Sequence, residues 1–240
     1  MNQIMQKDRF YDLCTLGAWC TFIAGALYVA MVICAFLLPS SIATYQATLQ
    51  YFKDFMEVKG LFLFLKWCMF FGSIAMIGVV YVIYNLAREV NRTFVGFFSL
   101  LAIIGYSFNM YQQILDISRI PYLVHHYSLA SENVRQVIEV YGVSNVHLFI
   151  LSMGLPGVWA IAISLKAYTN PQVPRLLAFL GFLWGIGNIF TVIAHVFVFL
   201  PLIYLVAIGA LICTPVWAIG EGVFFLKLRE KGFNYIKLKE

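Results

Sequence analysis

Five polar residues on two apolar stretches of this chain have the types and spacing to do chemistry inside a membrane. Asn109, Gln112 or Gln113, and Asp116 follow at i, i+3 or i+4, and i+7, so they share one face of a helix. Lys66 sits at similar depth in the apolar stretch before it. Amides ending in a carboxylate, opposite an ammonium, can hold a small solute or a lipid headgroup through hydrogen bonds and charge. Such a face should turn away from lipid. His147 and His195, near the ends of two later stretches, are expected as hydrogen-bonding neighbours, completing an outward-opening polar pocket. A plainer reading has these groups satisfying one another or snorkelling to the interface.

Glu221 is the one acid deep in the last apolar stretch, and Arg88 or Arg175 is its expected counter-ion. A lone carboxylate in hydrocarbon costs several kcal/mol, roughly, or takes up a proton. His147 and His195 could also ligate haem or a metal, since neutral imidazole serves both. The spacing does not support this: there is no HExxH, no i, i+4 histidine pair within a span and no Cys/His cluster, so no cofactor is expected. A phosphate-binding glycine loop, a GxSxG elbow and acids at catalytic spacing are likewise missing, which argues against an enzyme.

The elements that must position these residues are membrane spans. Of the 240 residues 62% are hydrophobic and 11% charged, against about 25% charged in soluble domains, and mean hydropathy is +0.86. Six apolar stretches, at about 17–38, 60–86, 93–115, 142–165, 174–199 and 202–226, are each long enough to cross a bilayer. The fold class expected is all-α: one domain of six transmembrane helices in a single bundle. The first stretch is too long and aromatic for a signal-peptide core, although Ser40-Ser41-Ile42-Ala43 could pass for a cleavage region, and is expected to be retained. Pro156 should kink the fourth span, and a turn is required near Leu200-Pro201. Cys14, Cys20, Cys34, Cys68 and Cys213 lie in or beside spans and read as small packing residues.

Two segments between spans are amphipathic. Ile42, Tyr45, Leu49, Phe52 and Met56 recur at helical steps over 41–57, as do Val134, Ile138 and Tyr141 after Ser131, so two outer interfacial helices are expected as a roof over the pocket. With the N-terminus inside, eleven Lys and Arg residues fall on the inner side and four on the outer, which places both termini in the cytoplasm. The formal charge of +5 is spread over short loops and a tail, as anchoring charges are, and indicates no nucleic-acid partner.

The stretch from Asn170-Pro171-Gln172-Val173-Pro174-Arg175 through Gly181 to Gly185 resembles the proline-arginine-led fifth span of uncharacterised bacterial six-span membrane proteins grouped as a domain of unknown function. The resemblance implies a compact six-helix bundle and no particular activity. The expectation is a non-enzymatic protein of the bacterial inner membrane, in contact with lipid and with other membrane subunits as further partners. It would bind a small solute or lipid headgroup or act as an accessory subunit. A small secondary transporter or channel is the alternative, and a cofactor-bearing membrane enzyme the third.

Overall fold

The computed structural model describes residues 3–43, 49–141, 146–197 and 200–232, and every regular element among them is helical. Helix α1 (Gln3–Leu37) and the short α2 (Ser40–Ala43) come first. The helical run from Leu49 to Leu129 then reverses at Asn91 (φ -157, ψ 84), giving α3 (Leu49–Arg88) and α4 (Asn91–Leu129). Asn91 makes the reversal possible, because its Oδ1 accepts the Phe94 N–H at 3.1 Å and caps the free first turn of α4. Next come α5 (Glu132–Tyr141), α6 (Val146–Tyr168), α7 (Arg175–Val196) and α8 (Leu200–Lys231).

Six of these helices, α1, α3, α4, α6, α7 and α8, are long and apolar enough to cross a membrane. The protein is an all-α, multi-pass integral membrane protein whose large side chains, among them Trp19, Phe36, Phe97 and Leu176, face outward where lipid lies. Local chemistry marks the boundaries. In the proline-arginine stretch, Asn170 Oδ1 accepts the Gln172 N–H at 3.0 Å and Asn170 O accepts that of Val173 at 3.1 Å, forming a tight turn. Pro174 then presents its carbonyl to the N–H groups of Leu177 and Ala178, so α7 starts one residue after the proline. The turn expected at Leu200-Pro201 falls earlier, after Val196: Phe197 N–H still bonds Ile193 O at 3.0 Å, and Pro201 already lies in the first turn of α8.

The hairpin α3–α4 is drawn differently from expectation at its far end. The segment 41–57 is divided between α2 and the first residues of α3, with 44–48 outside the described residues. The apolar face formed by Tyr51, Phe52, Phe55 and Phe62 runs on in register into the span, so nothing breaks the helix there. At 40 and 39 residues, α3 and α4 measure about 60 Å each against a hydrocarbon core of about 30 Å. They therefore project as a paired stalk beyond the membrane-spanning bundle. The second amphipathic segment is a separate helix, α5, as its spacing indicates.

The spanning helices close into a ring in chain order. Leu13, Ala18, Val82 and Phe225 join α1, α3 and α8 in one buried cluster, while Trp159, Trp184 and Trp217 bring α6, α7 and α8 together at ring-centroid distances of 4.8 to 6.3 Å. Pro156 sits within one helix, α6, and its ring lies against Gly105 of α4. Helix α6 crosses α7 backbone against backbone: a Cβ added at Gly185 would stand 2.8 Å from Gly157 O and 2.9 Å from Ile161 N, so only glycine permits it. Gly181 and Gly185 thus serve packing inside the bundle.

The end of the bundle holding the N-terminus of α1 and the α3–α4 reversal is termed proximal below, and the opposite end distal.

Candidate functional site

The inward face of α4 organises the site. Ser99, Ala102, Tyr106, Asn109, Gln113, Asp116, Ile120, Val124 and Tyr127 are all buried and follow one another at steps of three or four. The face changes chemistry along its length: hydroxyls and alanine at the proximal end, amides and an acid in the distal half, apolar side chains in the stalk.

In the distal half, Lys66 Nζ of α3 donates to Asp116 Oδ2 at 2.6 Å, and the side chains are only 1% and 3% exposed. Lys66 Nζ also stands 5.1 Å from the centroid of the Phe62 ring, a cation–π contact. One turn below, Gln113 Nε2 donates to Asn109 Oδ1 at 2.5 Å. Gln112, on the flank, accepts from Ser152 Oγ of α6 at 3.1 Å. Five of the residues expected from sequence, Lys66, Asn109, Gln112, Gln113 and Asp116, therefore come together in one buried layer, with Ser152 added.

The layer is sealed, whereas the sequence suggested an open pocket. Above it Ile42, Tyr51, Phe52, Phe55, Phe62, Ile120, Val124 and Tyr127 form a separate apolar cluster. Phe52 and Tyr127 stack at 3.8 Å between centroids, and Phe55 meets Phe62 edge-on at 5.1 Å. Helix α5 is fastened to this roof. Tyr127 O–H donates to Glu139 Oε1 at 2.5 Å, and Arg135 donates to Tyr127 O at 3.1 Å and to Ser128 O at 3.2 Å. A shallow apolar cavity of about 280 Å³ lies elsewhere, on the outward side of α4 at Ile103, Ile104, Ser107, Phe108 and Tyr111.

The two expected histidines lie on α6 and α7. His195 is half-buried near the distal end of α7, with Nδ1 at 3.3 Å from Thr191 O. Its helix packs on α8 and on α6, the helix that carries Ser152. The side chain of His147 lies outside the described residues. No group of three or more His, Cys, Asp or Glu side chains that could hold a metal occurs among the described residues.

Glu221 corrects an expectation. It shares a helix face with Trp217, Ala218, Phe225 and Leu228 and is half-buried, but it forms no salt bridge with Arg88 or Arg175 among the described residues. Arg175 opens α7 and is exposed, where its charge stays hydrated. At this end the polar link between spans is instead Arg9, whose Nη2 donates to Asn85 Oδ1 at 2.9 Å.

The sequence reading also missed a column. Ser99 Oγ, Tyr106 O–H and Gln113 Oε1 are buried without hydrogen-bond partners, as is Trp159 Nε1 of the neighbouring α6. The first three lie seven residues apart on α4, about 10.5 Å per step. Serines 73, 107 and 118 instead bond back to carbonyls of their own helices. The seven-residue spacing was legible, but Ser and Tyr pass as span residues when polarity alone is scanned.

A six-span helical membrane protein with a charged layer sealed inside one half of its bundle is the class these features define. Residues 23–227 match the family DUF4386, a domain of unknown function, and the chain belongs to that family. Searches of curated proteins and of solved structures return no match.

Proposed function

We propose that this is a non-enzymatic protein of the bacterial cytoplasmic membrane. It binds a small solute or a lipid headgroup at the Lys66–Asp116 layer, by itself or as an accessory subunit of a larger complex. The observation that carries this reading is a nearly solvent-free ion pair held beside amides, beneath a separate roof fastened by a short amphipathic helix. Structural economy argues in the same direction, because an apolar pair would hold two helices together at least as well as a buried salt bridge does. Ligand access requires the roof to part, and its weak points are the Tyr127–Glu139 and Arg135 bonds rather than the packed bundle below. Purification from native membranes with mass spectrometry of what co-elutes is the direct test. A small molecule or lipid lost when Lys66 and Asp116 are both replaced supports binding, while only protein subunits co-eluting supports the accessory role.

Both termini are placed in the cytoplasm by the distribution of basic residues, which makes the distal roof the outer face. An impermeant thiol reagent applied from outside should modify a cysteine introduced at Ser131 and spare one at Asn91. The reverse pattern sinks the orientation.

A transporter is the second reading, favoured by one observation: the unpartnered groups of Ser99, Tyr106 and Gln113 extend the polar face of α4 from the charged layer toward the depth of Glu221. It expects Glu221→Gln to abolish ion-coupled uptake in proteoliposomes with little loss of stability.

A further inference from the structure

We infer that the bundle holds a second site, on the inward face of α4 below the charged layer, and that it takes hydroxyl groups: ordered water or a small polyol. The inference does not depend on whether the Lys66–Asp116 layer takes a ligand. Ser99, Tyr106 and Gln113 follow at seven-residue steps on α4, and Trp159 joins them from α6. None of the four is more than 3% exposed. Ser99 Oγ, Tyr106 O–H, Gln113 Oε1 and Trp159 Nε1 have no hydrogen-bond partner among the described residues. The register of the two helices puts Trp159 in a gap of the row. Ser152 bonds Gln112 and Pro156 lies against Gly105, so α6 runs antiparallel to α4 and Trp159 stands level with Ala102. Trp159, Ala102 and Tyr106 share one buried cluster. Serines 73, 107 and 118 satisfy themselves on the carbonyl four residues back. Ser99 forms no such bond to Val95.

The four groups differ in what they demand, and the differences select the occupant. Gln113 Oε1 only accepts, the indole N–H of Trp159 only donates, and the hydroxyls of Ser99 and Tyr106 do either. A carbonyl or an anion would serve Trp159 and leave Gln113 Oε1 unmet. An ammonium would serve Gln113 and leave the indole unmet, and either ion would carry its charge in among neutral side chains, a costly transfer. An O–H group both donates and accepts, so it answers all four. The spacing agrees. Along the helix axis Ser99, the level of Trp159, and Tyr106 are separated by about 4.5 and 6 Å, and one oxygen bridging two groups at hydrogen-bond length covers about 5.6 Å. From Tyr106 to Gln113 the separation is about 10.5 Å, which takes two or three more oxygens. A short row of hydroxyl oxygens fits these demands, and both a file of waters and the adjacent hydroxyls of a glycerol-like polyol supply one.

The test measures unfolding midpoints of the full chain in detergent, unaltered and as Ser99→Ala or Tyr106→Phe. Each is measured in polyol-free buffer and with millimolar glycerol, below the levels at which polyols stabilise proteins by exclusion. Equilibrium dialysis counts labelled glycerol bound. Each variant removes one oxygen and keeps the rest of the side chain. A hydroxyl bonded to an occupant should lower the midpoint when it is lost. A hydroxyl that is dry and unmet should raise it, because a buried polar atom without a partner is a cost, and alanine is also the better helix former at 99. With water as the occupant, both variants fall in polyol-free buffer and no labelled glycerol is retained. With a polyol as the occupant, glycerol raises the midpoint of the unaltered protein, one molecule is retained per chain, and either variant weakens retention by about tenfold. Dimethoxyethane, which accepts hydrogen bonds and donates none, should have no effect; if it matches glycerol, the hydroxyl assignment is wrong. If either variant's midpoint is unchanged or raised and no glycerol is retained, or all three proteins retain it equally, the site is overturned.

Discussion

The bundle carries an acid in each half, and the two are treated oppositely. Asp116, in the distal half, meets an ammonium at 2.6 Å and is almost entirely removed from solvent. Glu221, in the proximal half, is half-buried and pairs with neither Arg88 nor Arg175. Helix pairing accounts for the difference. Lys66 and Asp116 lie at matching heights on the two arms of one hairpin, whose register is fixed by contacts from Tyr84 beside Gly96 to Phe52 on Tyr127. Glu221 lies on α8 between the crossings with α1 and α7, where Gly222 meets Phe22 and Gly220 meets Leu177. Neither neighbour brings it a cation. A buried acid is thus paired with a cation where a hairpin sets the register, and has no salt bridge to Arg88 or Arg175 where distant helices set it.

The largest expected effect tests the paired acid. Asp116→Ala alone should destabilise the protein in detergent by about 3–5 kcal/mol, because it breaks a buried ion pair by removing one partner. Adding Lys66→Ala should recover part of that loss, as the coupling of a close pair requires. Denaturant titration of the single and double variants is the measurement, and strict additivity would dissolve the contrast with Glu221.

A second, smaller effect belongs to the packing that positions both acids. Gly185→Ala forces a methyl against the backbone of α6, and overpacking of this kind costs about 1–3 kcal/mol. Gly60→Ala, where nothing stands within 4 Å, should be neutral or stabilising in the same assay. Similar losses at both positions would mean that α6 and α7 do not cross as described.

Asn91→Ala removes the cap on α4 and should cost about 1 kcal/mol, while Asn91→Asp should restore most of it. A larger loss would show that the register of the Lys66–Asp116 pair depends on this reversal. The smallest expected effect is at Glu221: without an ion pair to lose, Glu221→Gln should change stability by less than about 1 kcal/mol. A loss near that of Asp116→Ala would reveal a partner for Glu221 and erase the difference between the two halves.

Much of this protein was legible before its fold. Hydropathy and length determine the six spans, since helices are what an apolar chain of this kind can form in lipid without stranding backbone polar groups. Spacing determines the inward amide face of α4, because residues three and four apart must share a side. Depth along two adjacent antiparallel spans points to Lys66 as the partner of Asp116. The tertiary structure decided what no local pattern encodes. It seals the charged layer, because α3 and α4 outlast the membrane thickness and pack Tyr51, Phe52 and Phe55 against Ile120, Val124 and Tyr127. It denies Glu221 the basic partner that residue counting assigned. Those outcomes depend on which helices become neighbours and at what height they cross. Crossings such as Gly157 on Gly185 fix that through close backbone approach between segments far apart in sequence, which the periodicity of any single span does not carry.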